Sequence, residues 1–167
     1  MTKPTLPTIP FKSPKSFETW LEKQHHKSTG IWMKIYKKDS GIKTITYAEA
    51  LDVALCFGWI DGQKQAFDEE CWLQKFCPRT AKSIWSKINI GHVERLIKND
   101  KMRPAGLKAI ESAKADGRWE KAYDSPSKMT IPEDFLKVLS KNKKAETFFK
   151  SLNKTNLYSI GFQLQTA

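Results

Sequence analysis

The chain has 167 residues, of which 40% are hydrophobic, and 29 Lys and Arg outnumber 18 Asp and Glu to give a net charge of +11. That length makes one ordinary domain, or a domain with a small appended helical unit, and the apolar share is too high for a disordered chain. No run of 18 apolar residues occurs and the first ten residues hold no apolar h-region, so neither a membrane span nor a signal peptide is expected, and the reading is cytoplasmic.

Residues 1–12 contain three prolines and read as an extended arm. Ser13-Pro14 opens a helix, with Ser as the cap and Pro at the first helical position. Phe17, Trp20, Leu21 and Gln24 fall on one face of it, and it ends before Ser28-Thr29-Gly30. Ile31 to Lys38 alternates, Ile31, Met33 and Ile35 one way and Trp32, Lys34 and Tyr36 the other, as a half-buried strand does. Asp39-Ser40-Gly41 turns the chain, and Ile42–Ile45 reads as a short strand. Thr46 and Glu49 form a capping box for a helix over 47–57 that stops at Gly58. Asp61-Gly62 is a turn signal. Residues 63–67 and 71–77 then read as a hairpin around Asp68-Glu69-Glu70.

From Ser83 the pattern turns helical. Asn89 is placed as the cap of a helix with Ile90, Val93, Leu96 and Ile97 inward. Arg103-Pro104 opens another, with Leu107, Ile110 and Ala113 inward and Gly117 at its end. Ser125-Pro126 marks a boundary, after which three helices follow: one opened by Pro132, one holding Phe148, Phe149 and Leu152, and one holding Leu157, Ile160 and Leu164. The expected architecture is α+β: a small antiparallel sheet with packed helices over residues 1–124, and a C-terminal helical unit over residues 125–167.

The charge is uneven. Between Trp72 and Ile110 nine basic residues face only Glu94 and Asp100, a net +7. Such a field attracts nucleic acid, phosphorylated ligands, an acidic partner or a membrane surface, and it also serves plain solubility. The three cysteines, Cys56, Cys71 and Cys77, are odd in number and lack CxxC spacing, which argues against a disulfide framework and a zinc site. They read as small core hydrophobes in a reducing compartment.

Several segments carry a family resemblance. They are Gly30-Ile31-Trp32, Tyr47-Ala48-Glu49-Ala50, the run Ala54 to Gly62, Phe76-Cys77-Pro78-Arg79, Ser83-Ile84-Trp85-Ser86 with Asn89, and Val93 to Leu96. Met102 to Leu107 and Asp116-Gly117-Arg118-Trp119 complete the set. Together they resemble the bacterial YdeI/OmpD-associated family (OmdA), labelled bacteriocin-protection proteins. The label defines no reaction, ligand or catalytic residue. The resemblance implies a YjbR/CyaY-like fold, a group that includes frataxin-type iron proteins and proteins proposed to bind DNA. Family members usually continue into a Lys/Arg-rich tail, whereas this sequence stops at Gln165-Thr166-Ala167.

The leading candidate site is an anion site of Arg79, Ser83, Trp85, Ser86 and Asn89, with Trp59. Serines near a helix N-terminus favour an anion, Trp85 offers a ring to stack on, and Arg79 offers a bidentate fork. The bland alternative has the serines and Asn89 only capping, Trp85 in the core, and Arg79 paired with Asp61 or Glu94. Asp61 is a weak candidate general base beside Trp59, set against a turn-forming role. His25-His26 and His92 lack metal-ligand spacing, Asp68-Glu69-Glu70 reads as a solvated tip, and no GxGxxG or Walker sequence occurs, so no metal and no cofactor is expected. The functional reading is a non-enzymatic binding protein with a basic groove for an anionic small molecule or nucleic acid. Two alternatives are an enzyme acting on a small phosphorylated or carboxylated substrate and a protein–protein adaptor. Nothing in the sequence indicates an oligomeric state.

Overall fold

The computed structural model describes residues 5–167, so the first four residues of the expected arm lie outside the described residues. The chain divides into two compact units. The first takes the chain up to Ser83 together with His92–Ala115, and the second takes Ile84–Gly91 and Asp116–Ala167.

The first unit is built on a four-stranded sheet of β1 (Thr8–Pro10), β2 (Ile31–Tyr36), β3 (Trp59–Ala66) and β4 (Cys71–Pro78), in the order β1-β2-β4-β3. β2, β4 and β3 are antiparallel, as the alternation and hairpin signals predict. β1 pairs parallel to β2, so the sheet is mixed rather than purely antiparallel, and part of the expected arm is an edge strand. Two helices, α1 (Pro14–Gln24) and α2 (Tyr47–Cys56), cover the face that carries Ile31, Met33, Ile35 and Phe76. The Phe17 ring lies 5.8 Å from Phe76, and Trp20 meets Trp59 edge-on at 5.8 Å. Both helices start where local chemistry dictates. Ser13 accepts from the Ser16 N–H and Thr46 from the Glu49 N–H, each with the return bond that closes a capping box.

Two local readings change. Residues 42–45 form no strand: a 3-10 turn at Lys38–Ser40 ends at Gly41 (φ 68°), and the chain then continues without a ladder to Thr46. Ile45 is fully buried and its N–H donates to the Phe11 carbonyl at 2.9 Å, so one tertiary bond replaces the strand. Asp61-Gly62 makes no turn either. It lies inside β3, where the register against β4 shifts between Asp61 and Lys64. The bulge frees carbonyls from the ladder, and the buried Gln74 amide donates to the Gly62 oxygen at 2.9 Å and the Gln63 oxygen at 3.3 Å. A buried polar side chain thus satisfies the backbone groups that the bulge leaves over.

α3 (Lys87–Lys98) begins two residues before the expected cap Asn89, because Ser86 Oγ accepts the Asn89 N–H at 3.1 Å. Residues 83–85 are not helical. Val93 and Leu96 of α3 are buried, whereas Ile97 points outward at 42% exposure. α4 (Pro104–Ala115) buries Gly106, Ile110 and Ala113 but leaves Leu107 exposed. Its start crosses the end of α2 closely: the Arg103 N–H donates to the Cys56 carbonyl at 3.0 Å.

The second unit contains α5 (Glu133–Leu139), α6 (Lys143–Lys150) and α7 (Lys154–Thr166). Asn142 and Asn153 cap α6 and α7 through their side-chain oxygens. Phe135 meets Phe149 at 5.8 Å, and Tyr123 meets Phe162 edge-on at 4.9 Å. Asp124 ties the unit together. It pairs with Lys87 at 2.9 Å, while its backbone and side chain exchange bonds with the Gln165 amide, both at 3.1 Å. The Lys87 ammonium, followed by the Gln165 amide, holds the Asp124 carboxyl below its ordinary value.

Candidate functional site

The residues singled out in the sequence divide between the units. Trp59, Asp61, Arg79 and Ser83 belong to the first, and Trp85, Ser86 and Asn89 to the second. Trp59 is 1% exposed and its indole N–H donates to the His25 carbonyl at 3.3 Å. Trp85 is 2% exposed and stacks obliquely on Trp119 at 5.0 Å. Ser83 accepts the Thr80 N–H at 2.9 Å, closing a turn after β4. Arg79 leaves β4 with its N–H on the Gly58 carbonyl at 2.9 Å. Its Nε and Nη2 are shielded from solvent, and its side chain interacts within the protein. Asp61 is half-buried and accepts the Tyr47 hydroxyl at 2.8 Å.

A more open basic and aromatic surface lies elsewhere in the first unit. A groove of about 630 Å³ runs along the end of β2 and the following turn, lined by Tyr36, Lys37, Lys38, Lys43, Tyr47 and Trp72, among others. The Lys64 ammonium, on β3, lies 4.3 Å from the Trp72 ring centroid, and Tyr47 packs 6.2 Å from the same ring. Tyr47 is 37% exposed, and all four lysines are exposed. Strand pairing does the gathering: Ile35 lies opposite Trp72, and Ala66 pairs with Trp72 from the other side. The sequence signal was present only as lysines beside aromatics in separate segments.

A second, more enclosed cleft of about 530 Å³ lies between α1, α2 and the segment leading into α4. Val53, Cys56, Phe57 and Leu96 form its apolar part. Its charges are largely engaged with one another. Arg103 pairs with Glu18, and Lys15 meets Glu18 at 2.9 Å. The Asp52 carboxylate receives two bonds from Arg95 Nη2, at 2.7 and 2.9 Å. The hydrogen bond from Lys15, with help from Arg103 and against burial, holds the Glu18 carboxyl below its ordinary value. Burial pushes the Cys56 thiol up to about 11, so it stays protonated near neutrality and is a poor nucleophile. Among the described residues no three His, Cys, Asp or Glu side chains gather as a metal ion would require, and no helix is long and apolar enough to cross a membrane.

Fold and surface together define an α+β protein, with a mixed sheet bearing a lysine–aromatic groove and a second, helical unit. Residues 9–109, well over half of the chain, match the family described as a domain of unknown function (DUF8412), and the chain belongs to that family. Residues 128–167 match the family described as Bacteriocin-protection, YdeI or OmpD-Associated (OmdA). The YdeI/OmpD-associated resemblance is therefore met in the C-terminal helices, while the motifs between Gly30 and Leu107 that carried it lie inside the other match. No curated protein and no solved structure matches the chain.

Proposed function

We propose that this protein is a non-enzymatic binder of an anionic ligand that also carries a flat ring, a nucleotide or single-stranded nucleic acid. One observation carries the reading: Lys37, Lys38 and Lys43 line the same groove as Tyr47 and Trp72, and the Lys64 ammonium lies over the Trp72 ring from the neighbouring strand. Lysines supply the sequence-independent attraction to phosphates, and aromatic faces supply stacking that every base accepts. The candidate set read from the sequence, Arg79 with Trp59, Ser83, Trp85, Ser86 and Asn89, is the second location in this proposal. Exposure favours the lysine groove over it. The kinship to YjbR/CyaY-like folds, the cytoplasmic location and a role in bacteriocin protection belong to the same proposal, the last as a setting in which a binder acts. An enzymatic reading keeps one supporting observation, the Tyr47 hydroxyl donating to Asp61 beside the groove.

The test is titration of a fluorescent oligothymidylate at two salt concentrations against wild type, Lys38→Glu/Lys64→Glu and Trp72→Ala. Wild type is expected to bind with a log–log salt slope of about −0.7 per phosphate contact. The charge reversals should abolish binding, and Trp72→Ala should weaken it about fivefold or more through lost stacking. Absence of binding at low salt, or equal binding by all three proteins, overturns the reading.

A further inference from the structure

The second unit carries a surface that the groove does not use. Phe148 on α6 is 68% exposed, the most exposed of the large hydrophobic side chains described, and Val138 on α5 is 66% exposed. Between Phe135 and Lys154 the chain holds six lysines, Lys137, Lys141, Lys143, Lys144, Lys150 and Lys154, and one acid, Glu146. All six lysines are exposed. Glu146 is already engaged, accepting from Lys150 at 2.7 Å one turn along α6. Around Phe148 a shallow depression is lined by Lys143, Lys144, Thr147 and Ser151. On the other side of α6, Phe149 is turned inward against Phe135. The helix therefore holds one aromatic half-buried against Phe135 and presents the other to solvent beside Lys143 and Lys144.

We propose that this face docks on an anionic lipid bilayer, with Phe148 entering the headgroup region and the lysines lying over the lipid phosphates. Charge complementarity names the occupant. Beyond Arg118 the chain contains no arginine, so this face has none of the planar forks that fix a phosphopeptide or a defined base in register. Lysines are flexible point charges, suited to a diffuse negative surface that attracts each of them near the membrane. A short amphipathic helix with an apolar residue on one face and lysines flanking it fits the interface plane rather than a span.

The experiment is sedimentation of the full chain with large vesicles of phosphatidylcholine alone, or of phosphatidylcholine with roughly a third phosphatidylglycerol, at low and at physiological salt. Wild type should pellet with the anionic vesicles, not with the neutral ones, and less at the higher salt. Phe148→Ala should lower the partition coefficient about tenfold, from lost apolar burial. Phe148→Trp should restore it, and Lys143→Glu/Lys144→Glu should abolish it. Phe148, Lys143 and Lys144 are exposed, so all three variants should keep the wild-type melting curve. Lys38→Glu/Lys64→Glu, in and beside the groove of the first unit, should leave vesicle binding intact, so that the two proposals fail separately. The proposal is overturned by no binding to anionic vesicles at low salt, by Phe148→Ala binding like wild type, or by the groove variant losing vesicle binding as completely as Lys143→Glu/Lys144→Glu.

Discussion

Gly106 is the position where a single methyl group should do most damage. It is the third residue of α4 and sits against the end of α2. A Cβ built there would lie 2.7 Å from Met102 Cε and 2.8 Å from the Cys56 carbonyl carbon, and closer still to the Cys56 oxygen. Met102 is flexible and can swing away. The Cys56 carbonyl is backbone, already holding the Arg103 N–H at 3.0 Å, and cannot. In Gly106→Ala, α4 must therefore lift off α2, which costs about 1–3 kcal/mol as overpacking, with about 1 kcal/mol more if the Arg103 bond is lost. Against this stands the better helix propensity of Ala, at most about 1 kcal/mol and less in a first turn. The net loss is about 1–3 kcal/mol, and at about 2–4 °C per kcal/mol for this size Tm should fall by roughly 2–12 °C. Gly91→Ala is the internal control. Gly91 lies inside α3 with nothing within 4 Å of an added Cβ, so only propensity acts. That variant should gain up to about 1 kcal/mol. Melting both variants by circular dichroism decides the matter. A Gly106→Ala protein as stable as wild type would show that α4 and α2 do not meet as described.

Arg79→Ala tests the second location of the proposed anion site. With Nε and Nη2 shielded, removing the side chain should cost about 1–3 kcal/mol and leave the response of Tm to added sulfate unchanged. A Tm near wild type with the sulfate response lost would instead move the anchor to Arg79. Glu18 should mark the acid limb of stability. Its folded pKa is depressed, first by the Lys15 hydrogen bond, so its contribution is present above the unfolded value of about 4.3 and fades as pH falls through the folded value. The Tm gap between wild type and Glu18→Gln should be small and positive at neutral pH and close on acidification, and a gap constant across that range would refute the assignment.

The starts of α1 and α2 were legible in the sequence because their chemistry is local. Ser13 with Ser16, and Thr46 with Glu49, are three residues apart, and no tertiary contact is needed to satisfy them. The period-two alternation of Ile31–Tyr36 likewise carries its own burial pattern. Sequence motifs were also enough to give the YdeI/OmpD-associated resemblance, which residues 128–167 confirm. Where the partner lies far along the chain, local signals misled. Asp61-Gly62 looks like a turn until β4 lies beside it, when the pairing and the Gln74 amide turn it into a bulge. Ile42–Ile45 has strand composition but no neighbouring strand to bond. The start of α3 was misplaced within a local signal: Ser86 and Asn89 are both cap-forming types three residues apart, and Ser86 takes the role.

The site divides the same way. Tryptophan beside polar residues reads equally as a stacking platform or as core. Only packing decides, and it buries Trp59 against Trp20 and Trp85 against Trp119. The lysine–aromatic groove draws Lys37, Lys43, Tyr47 and Trp72 from separate segments, with Lys64 reaching the Trp72 ring from β3, and exists only because β3 and β4 pair beside β2. Composition determined that this chain would carry a strong positive field and a buried core. Which lysines stand around which rings was decided by strand register, because contacts between residues tens of positions apart leave no local trace in the order of the amino acids.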